Sequence, residues 1–189
     1  MNPLQLILGD EEFLIDRATS SIIRAVRSTM QSNPEELPIT KLRAGDVTPS
    51  EISELLSPSL FAEDRVVILA AAGEAGKEAV STIEQAVKEP APGVVLIVIH
   101  SGGGRAKNLV KILKNAGADV TECPKLTKFS EREDFVVNEF RNLGVRPSRD
   151  TVHALLDAIG GDLRELASAV SQLVADTGGR VDPAAVRRY

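Results

Sequence analysis

The sequence has few aromatic residues and a single cysteine. Only 3% of its 189 residues are aromatic, none is tryptophan, and 43% are hydrophobic. The core must therefore be built mainly from aliphatic side chains. The lone Cys123 excludes an internal disulfide framework and is typical of a protein in a reducing compartment. We interpret it as a small buried side chain.

Long apolar runs and an excess of basic residues are also absent. The longest apolar run, residues 94–99, is far too short to span a bilayer, and the first residues lack the basic and then apolar order of a signal peptide. The net charge is -5 and the pI is about 5.2, so no dominant basic patch indicates independent binding of nucleic acid. We expect a cytoplasmic protein that binds no membrane.

Residues 1–126 alternate between strand and helix patterns. Strands are predicted at residues 4–8, 39–42, 66–69, 94–99 and 119–122. Helices are predicted over residues 12–30, after a capping box at Thr48, over 74–88, and from the glycines at 102–104 to 115. The strand at 94–99 is apolar on both faces, which is typical of a central strand in a parallel sheet. We predict an α/β domain with a mostly parallel, five-stranded sheet.

Residues 127–189 carry helical patterns alone. Helices are predicted over 131–142, 150–159 and 162–176, and a fourth begins at Asp182 and Pro183. We predict a small all-α domain here. The fourth helix has only a few residues, which favours the interpretation that the chain is part of a longer protein.

The loop after the first strand lacks the residues that bind phosphate. A P-loop needs glycines followed by lysine and serine or threonine, but Gly9 is followed by the carboxylates of Asp10, Glu11 and Glu12. The third strand also lacks a metal-polarising carboxylate, because three alanines follow Leu69. No nucleophile–base set or carboxylate dyad stands out. We predict no catalytic, cofactor-binding or metal-binding residue.

Leu60 and Phe61 form an apolar pair outside the periodicity of the flanking elements. Pro58 should end the preceding helix at Ser57 and can itself begin a short turn. Burying one such side chain is worth roughly 1.5–3 kcal/mol, so an exposed pair would indicate a partner that covers it. The alternative is that both side chains fold inward and fill a loop. The segment alone favours this simpler alternative.

Two arginines are candidates for contacts with anions. Arg105 follows the glycines at 102–104 and could complete an anion nest, although a flexible connection is the simpler interpretation. Arg164 lies in the first turn of a predicted helix, where it could reach a partner's phosphate or simply be solvated. His100 and His153 have no metal-ligand spacing, and we assign them structural roles.

Three segments together resemble the delta subunit of the bacterial DNA polymerase III clamp loader. Leu6-Ile7-Leu8-Gly9-Asp10-Glu11 is similar to the family's degenerate opening loop. Ser59-Leu60-Phe61-Ala62 is similar to its clamp-binding Ser-Leu-Phe element. Gly161-Asp162-Leu163-Arg164 is similar to the motif that opens the sensor helix in lid domains of AAA+ proteins. Their order and the missing ATPase residues support the resemblance.

The resemblance implies a RecA-like AAA+ domain with a degenerate P-loop and a helical lid, without ATPase activity or a cofactor. It also implies that Leu60 and Phe61 insert into a hydrophobic pocket of the sliding beta clamp, with Ser59 shaping the turn. That contact would favour release of one clamp interface, so that the ring passes onto primed DNA. Further partners would be the motor and delta-prime subunits, with DNA contacted only in the assembled loader.

The family's chain continues into a third, helical collar domain that this sequence does not contain. We therefore expect the full protein to load clamps and this chain to hold the clamp-binding half. As a subunit it would be classed with DNA-directed DNA polymerase, a nucleotidyltransferase, without catalysing the reaction itself. Two alternatives stay open: a divergent P-loop NTPase, and an α/β protein-interaction domain unrelated to replication.

Calorimetric titration with Mg-ATP tests the first alternative. We expect no binding at micromolar nucleotide, because the loop lacks the phosphate-binding lysine and carries carboxylates instead. An active P-loop NTPase titrated in the same buffer is the positive control. Micromolar binding by this chain would overturn the prediction.

Overall fold

A computed structural model describes residues 1–30, 34–58 and 64–188 of the chain. The chain folds as two compact units, Met1–Lys125 and Leu126–Tyr189. Each unit has buried apolar side chains of its own. Across the three described ranges, no helix has the length and apolar character needed to cross a membrane.

The first unit contains a parallel sheet. Its described residues form the strands β1 Leu4–Gly9, β2 Ile39–Arg43, β3 Arg65–Ala70, β4 Val94–His100 and β5 Asp119–Cys123. The strand order is β2-β3-β4-β1-β5, and every neighbouring pair is parallel. The inner strands β1, β3 and β4 have nearly continuous apolar sequences because helices cover both of their faces. β2 and β5 form the edges of the sheet.

Alternate residues of the inner strands enter two separate cores. The helices of this unit are α1 Glu12–Thr29, α2 Pro49–Leu56, α3 Lys77–Lys88 and α4 Asn108–Asn115. Leu6 and Leu96 pack in the core formed with α2, α3 and α4, whereas Ile7 and Ile97 pack in the core formed with α1. Successive side chains of a strand point to opposite faces, so this alternation is what a sheet covered on both sides requires.

The capping box predicted at the start of α2 is confirmed. The Thr48 Oγ1 accepts a hydrogen bond from the Glu51 N–H at 3.3 Å, and the Glu51 carboxylate accepts one from the Thr48 N–H at 2.8 Å. These bonds to Thr48 hold the pKa of the Glu51 carboxyl below its ordinary value, because they stabilise its charged form. Pro49 follows as the first helical residue.

Two helices of the first unit begin later than the sequence predicts. α3 begins at Lys77 rather than 74, because Ala71 has a left-handed φ of 51° and Ala72–Glu74 form a separate 3-10 turn. α4 begins at Asn108 and does not directly follow the glycines at 102–104. The loops after β3 and β4 are therefore longer than the helical periodicity indicates.

The second unit is helical throughout its described residues. Its helices are α5 Phe129–Asn142, α6 Arg149–Ile159, α7 Leu163–Thr177 and α8 Pro183–Arg188. α5 begins before the predicted start at 131, where the Glu131 carboxylate accepts a hydrogen bond from the Lys128 N–H at 3.0 Å. Asp162 caps α7 by accepting from the Glu165 N–H at 2.9 Å. These caps satisfy amides that a helix start leaves unpaired.

Replacing the fully buried Phe140 by alanine should destabilise the second unit. We expect its free energy of unfolding to fall by about 3–5 kcal/mol, because the substitution leaves a cavity. Phe129, which is 48% exposed, is the matched control, and Phe129→Ala should cost clearly less. Urea unfolding followed by circular dichroism measures both variants. Equal losses would contradict the assigned core.

Candidate functional site

The predicted binding residues Ser59, Leu60 and Phe61 lie outside the described residues, as do all of residues 59–63. The described chain on either side fixes their points of attachment. They connect the end of α2 to the beginning of β3. The connection therefore joins the amino-terminal edge of the sheet at one of its inner strands.

Hydrogen bonds hold the described residues at both ends of this connection. At the end of α2, the Ser57 N–H donates to the Glu54 carbonyl at 3.3 Å and its hydroxyl donates to the Ser53 carbonyl at 2.5 Å. At the start of β3, the Arg65 N–H donates to the Gly93 carbonyl at 2.8 Å. The Arg65 Nη2 also donates to the Ser57 carbonyl. One side chain thus joins the two ends.

The loop after β1 is packed against β5. Gly9 has a φ of 145°, and a Cβ at this position would lie 2.0 Å from the Cys123 carbonyl oxygen. The N–H groups of Asp10 and Glu11 donate to that same oxygen at 3.1 and 3.0 Å. α1 then begins at Glu12. The two amides that could have faced a phosphate are therefore already bonded within the protein.

The loops that follow β3 and β4 pack backbone against backbone. A Cβ on Gly104, whose φ is 83°, would lie 2.5 Å from the Gly73 carbonyl oxygen. A Cβ on Gly73 would lie 2.7 Å from the Gly103 carbonyl oxygen. The Ala106 N–H donates to the Gly73 carbonyl at 3.0 Å. The glycines therefore serve close approach, a different role from the flexible connection that the sequence suggests.

A buried histidine fixes the same loop. His100 is fully buried at the end of β4. The Gly102 N–H donates to its Nδ1 at 2.8 Å, so its Nε2 carries the proton and donates to the Ala106 carbonyl at 3.1 Å. These bonds confirm a structural role for His100. They also engage the Gly102 amide, which a nest would have to offer to an anion.

Arg105 contacts the loop after β3. Its Nε donates to the Glu74 carbonyl at 2.5 Å. The Glu74 carboxylate accepts two hydrogen bonds from Arg43, at 2.8 and 2.9 Å, and these lower the pKa of the Glu74 carboxyl. Because Arg43 and Glu74 are both well exposed, their ion pair adds little stability. Its effect is to connect the carboxyl ends of β2 and β3.

Arg164 is exposed in the first turn of α7, as the sequence predicts. Beside it, a Cβ on Gly161 would lie 2.5 Å from the Arg132 Nη1, and the Arg132 Nη2 donates to the Thr127 carbonyl at 3.1 Å. Arg164 and Arg105 belong to different units. They are therefore two separate candidate contacts.

Cys123 is buried, as predicted, with 2% of its surface exposed. Burial raises the pKa of its thiol, and the charge of Glu122 raises it further. The thiol therefore stays protonated and is a poor nucleophile. In the described part of the chain, no three His, Cys, Asp or Glu side chains are grouped so that they could hold a metal ion.

Two contacts that shape this region were missed at the level of sequence. The Cys123 carbonyl is a backbone group, which no residue pattern singles out. Arg65 directly precedes an apolar strand, and that position gave a weak signal at best. Its contact with Ser57 depends on a chain reversal that spacing alone cannot reveal.

The comparisons with known proteins agree on one family. A family model described as "DNA polymerase III, delta subunit" matches residues 6–124. Among solved structures, the chain is similar to the Bacillus subtilis DNA clamp loader delta protein (YqeN), with 22% sequence identity and a TM-score of 0.78. That match covers 100% of this chain and 58% of that chain. No curated protein matches.

A second likeness concerns the fold alone. The Thermotoga maritima RuvB Holliday junction branch migration motor matches with 11% identity and a TM-score of 0.51, covering 98% of this chain and 60% of that chain. The chain thus spans less than two thirds of either protein's length. The predicted fold class is confirmed: a RecA-like AAA+ α/β domain with a mostly parallel five-stranded sheet, followed by helices.

Substituting Gly104 by alanine tests the close packing of the two loops. We expect the free energy of unfolding to fall by at least about 2 kcal/mol, because alanine is strained at positive φ and its Cβ would meet the Gly73 carbonyl. Gly103→Ala is the matched control in the same loop, since a Cβ there has no neighbour within 4 Å. Thermal and urea unfolding should separate the two variants. Equal stability would argue against the packing described.

Proposed function

The chain belongs to the DNA polymerase III delta-subunit family, and on this premise we propose that it is the clamp-loader subunit that binds and helps open the sliding clamp. Leu60 and Phe61 insert into an apolar pocket on the clamp, and Ser59 shapes the turn that carries them. Their binding favours a ring with one open interface, which can pass onto primed DNA.

The observation that carries the proposal is the Ser59-Leu60-Phe61 sequence at its place in the chain. It lies within the family match over residues 6–124 and shortly before β3. β3 pairs with β2 on one side and β4 on the other. A wedge attached at this point would have a rigid support, which supports a role in pushing against a partner.

We propose that this subunit has no ATPase activity of its own. The amides of Asp10 and Glu11 are bonded to the Cys123 carbonyl, and the loop carries carboxylates where a phosphate would need positive charge. ATP binding and hydrolysis then belong to the motor subunits. The NTPase alternative has no contact in the first loop that favours it.

Clamp opening in this proposal comes from differential binding. A ligand shifts an equilibrium only by the difference between its affinities for the two states. Moving a ring from 1:99 to 99:1 in favour of the open form needs about 5.5 kcal/mol. Burying Leu60 and Phe61 only against the open ring would supply about 3–6 kcal/mol. The apolar pair therefore has the right magnitude for this task.

The other partners follow from the assembly. The motor and delta-prime subunits would contact this chain, and we propose Arg164 and Arg105 for intersubunit or phosphate contacts. Arg105 already donates to the Glu74 carbonyl, so Arg164 is the stronger candidate. With a net charge of -5, the chain would meet primed DNA only in the assembled loader. Replication places that assembly in the cytoplasm.

Replacing both Leu60 and Phe61 by alanine should abolish most clamp affinity. We expect binding to weaken by at least about 100-fold, because about 3 kcal/mol of apolar burial is lost. The melting temperature should stay nearly unchanged, since an exposed pair contributes little to the fold. Biolayer interferometry on the immobilised cognate clamp, together with thermal melts, provides both measurements.

The matched control removes the same two residue types from the second unit. Phe129 and Leu143 are 48% and 46% exposed, and the double variant Phe129→Ala, Leu143→Ala should bind the clamp as the wild type does. If instead the variant at 60 and 61 loses several kcal/mol of stability, the pair belongs to the core. That outcome would favour the interaction domain unrelated to replication.

A further inference from the structure

Arg65 connects two fixed points of the backbone. Its own N–H donates to the Gly93 carbonyl at 2.8 Å, and it pairs in register with Val94, so its main chain is part of the sheet. Its Nη2 donates to the carbonyl of Ser57, eight residues earlier. Ser57 is itself held by bonds from its N–H and its hydroxyl to the last turns of α2.

The stability of the first unit does not explain an arginine at this position. The Arg65 side chain is half-buried, and its Nε is buried without a hydrogen-bond partner among residues 1–30, 34–58 and 64–188. A buried unpaired donor destabilises a fold. An unbranched apolar side chain would fill the same space without that penalty. What the arginine adds is the bond to Ser57.

We propose that Arg65 is a positioning residue for the clamp-binding pair. The bond to Ser57 fixes the distance between the two ends of the connection that carries Leu60 and Phe61. Ordering a segment before it binds reduces the entropy that binding must overcome. This inference rests on the proposed function, because it concerns how the pair is presented to the clamp.

The substitution Arg65→Met tests this role. Methionine keeps an unbranched apolar stem of similar length but has no N–H donor. We expect clamp affinity to fall about tenfold, in line with the loss of one charge-assisted hydrogen bond and of preorganisation. The melting temperature should not fall. Arg65→Lys keeps one cationic donor and should recover part of the affinity. Arg24→Met, at an exposed position of α1, makes the same charge change and should bind as the wild type does.

Hydrogen exchange measured by mass spectrometry supplies a readout independent of the clamp. In Arg65→Met, amides in peptides covering residues 57–64 should exchange faster, while those of β4 stay unchanged. A simple cap on α2 would instead raise exchange throughout α2 and lower the melting temperature, with clamp affinity intact.

The outcomes separate this inference from the proposed function. If the wild type binds the clamp and Arg65→Met binds equally well, the inference is wrong and the proposed function stands. If exchange at 57–64 is unchanged in Arg65→Met, the inference is also wrong. If the wild type does not bind the clamp, the proposed function fails and the inference fails with it.

Discussion

The contact of Gly9 with the Cys123 carbonyl is the constraint on which the first unit depends. Two consecutive amides and an absent side chain meet one oxygen there, and this fixes β5, an edge strand exposed at four of its five positions, beside β1. The same bonds engage the amides that a phosphate would need. The closure of the sheet and the lack of a phosphate cradle thus have one physical origin.

The carboxyl edge of the sheet, where open α/β folds usually bind their ligands, is occupied by the protein's own groups. His100 and the glycines at 73 and 104 join the loops after β3 and β4, and the Arg43–Glu74 pair connects β2 to them. The connection that carries the proposed clamp contact joins the opposite, amino-terminal edge. In this proposal the fold has kept its architecture while its binding function lies at the other end of the strands.

Local patterns predicted the architecture well, because the alternation of residues such as Leu6 and Ile7 records directly which face each side chain covers. The late starts of α3 and α4 could not be predicted this way. They result from the approach of Gly73 to Gly104, which are distant in sequence, and periodicity does not report such pairs. The bond from Arg65 is hidden for the same reason. The clamp-binding residues came from a short motif and a resemblance, and they stay a prediction.

The two edges of the sheet have a consequence for the behaviour of many copies in one solution. β2 and β5 each leave a row of backbone groups without a neighbouring strand, and both carry exposed charges, basic on β2 at Lys41 and acidic on β5 at Asp119 and Glu122. Hydrated charges on an outer strand oppose further growth of a sheet. Like edges of two copies would also repel each other. The protein is thereby protected from aggregation at the very strands where an open sheet is most vulnerable to it.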